Sequence, residues 1–289
     1  MKLHYPSPLE RHTFRGIDFW LKRDDLIDRD FSGNKARKFA WYLQQPFPEV
    51  TELRSYGSPQ SNAMYSLSLL ARMRGWRFRY YVDHIAPWLR ANPHGNYLAA
   101  LQNGMEIVEG EMPKTYERTI LTIDEGGRGP EAAYGLRMLA RELSAQLPDP
   151  EIDIFLPSGT GTTAFYLQQF VPNRVVTTPC VGDTAYLHAQ FRMLDPDAQR
   201  LPTVVDLEKK YHFGKLYPQF FKIWVELFEK TGVTFDLLYD PKGWLALLAH
   251  RDLLSEKICY IHQGGLLGNE SMIRRYQRKR DAMDRDHSS

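Results

Sequence analysis

Two stretches of this chain are built alike. "IDIFLPSGTGTTAFYLQQF" (Ile152–Phe170) runs from an apolar, β-prone segment through a glycine turn into a helical pattern. "ELRSYGSPQSN" followed by "AMYSLSLLARMRG" (Glu52–Gly75) does the same, with Gly75 as the C-terminal cap. The rhythm continues as a strand in "WRFRYYVDH" (Trp76–His84), a helix in "NYLAALQNG" (Asn96–Gly104) and a strand in "MEIVEG" (Met105–Gly110). Strands that alternate with helices in this way are parallel βαβ units, because parallel neighbours need a crossover. The fold class expected is α/β, with open, mostly parallel sheets flanked by helices.

Earlier in the chain, "IDFWLKRDDL" (Ile17–Leu26) reads as a strand entering a polar loop. "KARKFAWYLQQ" (Lys35–Gln45) reads as a helix stopped by Pro46 and Pro48. The Gly-rich "TIDEGGRGPEAAYG" (Thr122–Gly135) resembles a hinge, and "GLRMLARELSAQL" (Gly135–Leu147) a helix ended by "PDP". The tail "RRYQRKRDAMDRDHSS" reads as a mixed-charge terminal helix or fray with a solvated surface.

With 289 residues, the chain can form one large domain or two modest ones. Its 37 Lys+Arg nearly balance 35 Asp+Glu, so charge gives no argument for nucleic acid or an anionic membrane surface. No apolar run approaches a membrane span, and "MKLHYPSPLERH" has no apolar segment of the signal type. Cys180 and Cys259 show no metal-type or redox-type spacing and read as two reduced thiols. The expectation is a soluble, cytoplasmic protein without a metal.

The residues able to do chemistry gather in the turns. In "LPSGTGTTAF", Gly159 and Gly161 allow a tight turn, and Ser158, Thr160, Thr162 and Thr163 add hydroxyls. Between a strand and a helix, such a loop either aims N–H groups and a helix dipole at a phosphate or is a plain connecting turn. No Gly-Lys-Ser/Thr ends it, so it is not a Walker loop. In "SYGSPQSNAM", Ser61 or Asn62 is a natural N-cap, and the turn also suits a ligand's carboxylate or ring oxygen. "IHQGGLLGN" (Ile261–Asn269) is a third glycine turn, with His262 read as a buried, hydrogen-bonded histidine. All three turns follow strands, and ligands of open α/β sheets bind beyond the strands' carboxyl ends. "DFSGNKARKF" (Asp30–Phe39) adds Lys35 in a bend-prone turn. A phosphate cradle with a poised lysine is the profile of a pyridoxal 5'-phosphate (PLP) enzyme.

The motifs in order carry a resemblance. "LKRDDL…SGNKARKFAWYL" resembles the "KRDDL…GGNKxRKLE" signature of the 1-aminocyclopropane-1-carboxylate (ACC) deaminase and D-cysteine desulfhydrase family. "GSPQSNAM" resembles its "GGxQSNHxR", and "IDEGGRGPEAAYGL" its Gly-rich crossover. "LPSGTGTTA" resembles its phosphate loop, "LLYDPKGWLAL" its "DPVYxGKxxxGL" and "YIHQGGLLG" its "HTGGxxG". Nearly the whole chain is covered.

The resemblance implies the two-domain PLP fold type II. Residues 1–37 and 126–289 would form the large, PLP-binding domain, and 38–125 a small inserted α/β domain. Lys35 would carry PLP and move the substrate's α-proton, with Arg37 and Lys38 as electrostatic support or solvated surface. Asn62 would contact the ring hydroxyl, and Ser61 would bind the substrate carboxylate or assist proton transfer. Ser158, Gly159, Thr160, Gly161 and Thr162 would hold the phosphate. Tyr239 and Tyr217 would line the substrate side, and Asp240 or Gln263 would face the pyridine nitrogen. The implied reaction is a deaminase or lyase reaction on a small amino acid, of the ACC deaminase or D-cysteine desulfhydrase type, releasing ammonia and a 2-oxo acid. Another D-amino acid, a β-substituted alanine or a non-catalytic PLP or amino-acid binder are the alternatives, and a homodimer is the assembly implied.

The chain also departs from the family pattern. Gly57-Ser58 replaces a glycine pair, with Pro59 added, and Ala63 stands where the family has His or Gln. Gln263 replaces Thr or Leu, and Asp240 replaces the Glu of ACC deaminases or the Thr of desulfhydrases.

Overall fold

The computed structural model describes residues 3–286, with side chains described to residue 281. The chain opens with an antiparallel hairpin, β1 (Leu9–Phe14) and β2 (Ile17–Arg23). Then follow α1 (Gly33–Gln44), β3 (Glu52–Tyr56), α2 (Asn62–Arg74), β4 (Arg77–Val82), α3 (Pro87–Ala91), α4 (Gly95–Gln102), β5 (Met105–Glu109) and β6 (Ile120–Thr122). The remainder comprises α5 (Ala132–Gln146), β7 (Asp153–Ser158), α6 (Thr162–Phe170), β8 (Val175–Pro179), α7 (Thr184–Leu194), β9 (Thr203–Val204), α8 (Pro218–Thr231), α9 (Asp240–Ala249), β10 (Ile258–His262) and α10 (Gly268–Asp286).

Two sheets result. One has four parallel strands in the order β5-β4-β3-β6. The other has six in the order β1-β2-β10-β7-β8-β9, parallel except for the β1 edge. β7 and β10 are buried throughout, as inner strands covered on both faces must be. Their side chains alternate between two cores. Ile154, Leu156, Cys259 and Ile261 pack toward α5, α6 and α7, while Phe155, Ile258 and Tyr260 pack toward α8 and α9. A third core surrounds the four-stranded sheet and takes in Ala36, Phe39 and Tyr42 of α1.

The α/β reading therefore holds. Gly75 caps α2 in the left-handed conformation at φ 72°, as expected from the sequence. The hairpin partner β1, α3, β6 and the elements from Val175 to Ala249 went unread in the sequence. The terminal helix extends to Asp286, and residues 287–289 of the expected tail lie outside the described residues. Cys180 and Cys259 are free and buried. No helix among the described residues is long and apolar enough to cross a membrane.

Candidate functional site

A cavity of about 490 Å³ opens where the two sheets' helices meet, with walls from α1, α2, the β7–α6 turn, the start of α9, the β10–α10 turn and α10. It lies beyond the carboxyl ends of β3, β7 and β10, where ligands of parallel sheets bind.

Lys35 stands in the first turn of α1. The turn is pinned to the end of β10: Asn34 N–H donates to Gln263 O at 3.0 Å, and Asn34 Nδ2 to Gln263 Oε1 at 2.9 Å. Gly33 is required there. Its φ is 62°, and a Cβ would come 1.7 Å from Gln263 O. Lys35 Nζ donates to Asn34 Oδ1 at 3.1 Å, and burial lowers its pKa to about 8 although Asp236 pulls the other way.

The neighbouring cations need correction, since neither is solvated surface. Arg37 is wholly buried on the opposite side of α1, where it meets Asp24 (2.7 Å), Glu142 (2.6 Å) and the Tyr5 ring. Glu142 is shared with the buried Lys22 at 2.7 Å. Lys38 lines the cavity with Lys35, and its Nζ donates to Gly126 O at 3.0 Å. Burial, then the Lys35 charge, push its pKa well below the ordinary lysine value. Lys35 and Lys38 share the cavity face of α1 while Arg37 points away from it, because a helix turns about 100° per residue.

The glycine turn after β7 points at the same space. Ser158, Gly159, Thr160, Gly161, Thr162 and Thr163 all line it. Ser158 Oγ pairs with Thr177 Oγ1 at 2.7 Å, and Thr160 Oγ1 with Thr162 Oγ1 at 3.0 Å. Thr163 Oγ1 is buried without a partner. Gly161 holds the N-cap of α6 at φ 72°, so the helix begins with uncapped N–H groups facing the cavity.

Across from it, Asn62 begins α2. Its Oδ1 accepts from Asn96 Nδ2 at 2.6 Å, while its amide nitrogen faces Asp236 Oδ2 without an aligned hydrogen bond. Ser61 is the N-cap of α2, accepting from the N–H groups of Ala63 (3.1 Å) and Met64 (3.4 Å) while lining the cavity. Asp236 Oδ1 accepts from the backbone N–H groups of Leu238 (2.8 Å) and Tyr239 (2.6 Å). Burial raises the Asp236 pKa to about 6. Asp240 accepts from Tyr260 Oη at 2.7 Å and from Asp236 N–H at 2.9 Å. Burial, then the Asp236 charge, push its pKa far up. Gln263 is committed elsewhere: Nε2 donates to Pro157 O at 2.6 Å, and Oε1 holds Asn34.

The structure thus brings Lys35, Ser61, Asn62, Ser158 to Thr162, Tyr239, Asp240 and Gln263 around one space. Tyr217 lies outside it: its hydroxyl accepts from His212 N–H at 2.9 Å, and its ring packs on Tyr211 and Phe220. His262 is buried, with Nε2 2.8 Å from Thr234 O, as read from the sequence. Asp236, Asn96, Ser271 and Arg275 went unread. Only Asp236 had a signal, since it stands where the pattern "DPVYxGK" opens on an acid. Among the described residues no cluster of His, Cys, Asp and Glu is arranged for a metal.

The residues fit PLP. The start of α6, the unpartnered Thr163 hydroxyl and the buried Lys38 ammonium suit its phosphate. Asp236 and Asp240, whose pKa values burial raises, would ionise beside a cation such as a protonated ring nitrogen, and Lys35 supplies the amine.

No family model matches the sequence. Among curated proteins, one of Pyrococcus horikoshii named "Putative 1-aminocyclopropane-1-carboxylate deaminase" is 24% identical over 88% of this chain and 86% of its own length. One of Thermotoga maritima with the same name is 24% identical over 90% of this chain and 92% of its own. Among solved structures, an ACC deaminase homologue superposes with a TM-score of 0.78 at 22% identity, covering 93% of this chain and 92% of that one. A T.th. threonine deaminase superposes with a TM-score of 0.60 at 14% identity, covering 90% and 92%. The chain therefore has the fold of the PLP enzymes of fold type II and resembles, over about nine-tenths of its length, those two curated proteins.

Proposed function

We propose that the protein is a PLP-dependent deaminase or lyase that takes up water and a small amino acid bearing a strained ring or a β-leaving group, and releases ammonia, a 2-oxo acid and, where there is one, the leaving group. The observation that carries this is the half-buried Lys35, its pKa lowered to about 8, in the cavity onto which the uncapped start of α6 opens. When bound, PLP supplies an electron sink for the bonds at the substrate's α-carbon.

The chain's own groups supply the rest. Lys35 binds the cofactor covalently through its neutral amine and, once released, holds at Nζ the proton that leaves the substrate, the α-proton where there is one. Lys38 and the start of α6 fix the phosphate. Asn62, held by Asn96, orients the ring hydroxyl. Asp240 keeps a proton at the ring nitrogen: each of its oxygens retains a lone pair, whereas the Gln263 amide is spent on the lysine turn. Burial raises the Tyr239 hydroxyl above its ordinary value, so it stays protonated and serves as an acid beside Gly159. Residues 38–125 form the smaller lobe, whose closure excludes water.

Adding PLP to the purified protein is expected to produce a visible absorption band, which borohydride reduction fixes on Lys35. Lys35→Ala is expected to lose the band and the fixed label together. A wild-type protein that stays colourless would refute cofactor binding. A variant that keeps the band would move the covalent role to another amine, with Lys38 first in line. With the band established, 2-oxo acid release from ACC, D-cysteine and a panel of D-amino acids separates catalysis from mere binding.

A further inference from the structure

We infer that the α10 wall of the cavity binds a second carboxylate on the substrate, held by Arg275 with Ser271 one turn nearer Asn62, so that the amino acid taken has an acidic side chain. The inference rests on the PLP-dependent reading of the site.

One face of α10 forms this wall. Gly268, Ser271, Met272 and Arg275 all line the cavity, at the three- and four-residue spacing of one helix face. Gly268 marks the inner end, since a Cβ there would come 3.1 Å from Asn62 Oδ1. Arg275 lies two turns on, roughly 10 Å along the axis at 1.5 Å per residue. It sits by Gly214, whose Cβ would come 4.0 Å from Arg275 Nη1.

Both polar groups on this wall lack a proper partner. Ser271 is 4% exposed, and its hydroxyl has no hydrogen bond. Arg275 is half-buried and forms no ion pair among the described residues. Its hydrogen bond is a weak one, from Nη1 to the Met272 sulfur at 3.5 Å. Burial and the nearby Arg278 lower its pKa. Glu125, an acid of the opposite rim, faces Gly57 and Arg128 instead. Gly214 and Met272, which lie against the Arg275 guanidinium, offer no anion.

A carboxylate answers both groups. It accepts the Ser271 O–H and takes the guanidinium fork in two parallel hydrogen bonds. Arg275, two turns along α10 from the Gly268–Asn62 approach, suits the side-chain acid rather than the α-carboxylate, which is attached to the reacting carbon beside the cofactor. A substrate without a second acid leaves the half-buried guanidinium unpaired.

The test titrates PLP-loaded protein with aspartate and asparagine, and with glutamate and glutamine, in both enantiomers. Half-saturation is read from the absorbance of bound PLP and from the rise in Tm. At least one acid is expected to half-saturate about tenfold or more below its amide, and Arg275→Gln to abolish that ratio, with Arg275→Lys retaining part of it. Equal binding of acid and amide, or an Arg275→Gln variant that keeps the ratio by weakening both alike, would overturn the inference. The second outcome would assign Arg275 to the α-carboxylate. Acquisition of the PLP band certifies that each variant is folded. Wild-type protein that never acquires the band defeats the PLP reading itself, a result separate from equal binding.

Discussion

Lys35 shows what a site gains from a half-buried amine. At a pKa of about 8, roughly one molecule in ten has a neutral Lys35 at pH 7, against roughly one in three thousand at the ordinary value of 10.5. The neutral amine is the nucleophile. The rate at which cofactor-free protein captures PLP is therefore expected to rise about tenfold per pH unit up to pH 8 and level off above it. Stopped-flow absorbance measures this directly, and a rise continuing past pH 10 would mean that the amine is not desolvated. Sequence could single out Lys35 because its glycine turn is a local feature. It could not assign Lys38, Asp236 or Arg275. Their chemistry comes from burial and from neighbours far along the chain, such as Gly126 for Lys38, and a charged residue in a sequence looks solvated until its surroundings are known.

At the scale of elements, the packing of α1 on α5 places the site. The two helices touch at Gly135, where a Cβ would come 1.9 Å from Arg37 O. The approach lets Glu142 of α5 reach Arg37 and Lys22, closing a buried ionic cluster beneath the lysine turn. Gly135→Ala must push two backbones apart. It is expected to destabilise the protein at or beyond the upper end of the about 1–3 kcal/mol typical of overpacking, and to slow PLP capture by displacing Lys35. Urea denaturation beside the capture assay checks both effects, and unchanged stability would contradict the close contact. The strand–turn–helix units up to Phe170 were legible because glycine and polar residues mark their ends. The stretch from Val175 to Thr231 was not. β9 has two residues, and β8 reads only "VVTTP", too short for an alternation to register. The helix read from Gly135 begins at Ala132, and the contact at Gly135 was not legible, since only the tertiary fold brings Arg37 to it.

At the scale of the molecule, the cavity leaves a pH signature on folding. Asp236 has a folded pKa of about 6 against 3.8 unfolded, so between those values the folded state holds more protons than the unfolded. Its contribution to stability is present below pH 4 and is lost as pH rises through 6. Lys35 runs the other way. With a folded pKa of about 8 against 10.5, the unfolded state holds more protons in that window, and stability rises with pH across it. Cofactor-free protein should therefore show a trough in urea midpoint between about pH 6 and pH 8. PLP at a hundredfold excess over its Kd should raise stability there by about 2.7 kcal/mol. A flat profile without cofactor would mean that the buried groups do not titrate as the cavity dictates. The architecture has one more consequence, in the order of synthesis. Lys35 is made early, but the carbonyl that shapes its turn belongs to Gln263, 229 residues after Asn34. A nascent chain on the ribosome thus carries Lys35 without the burial that activates its amine or a template for its loop, and competence to trap a cofactor waits until Gln263 has been made.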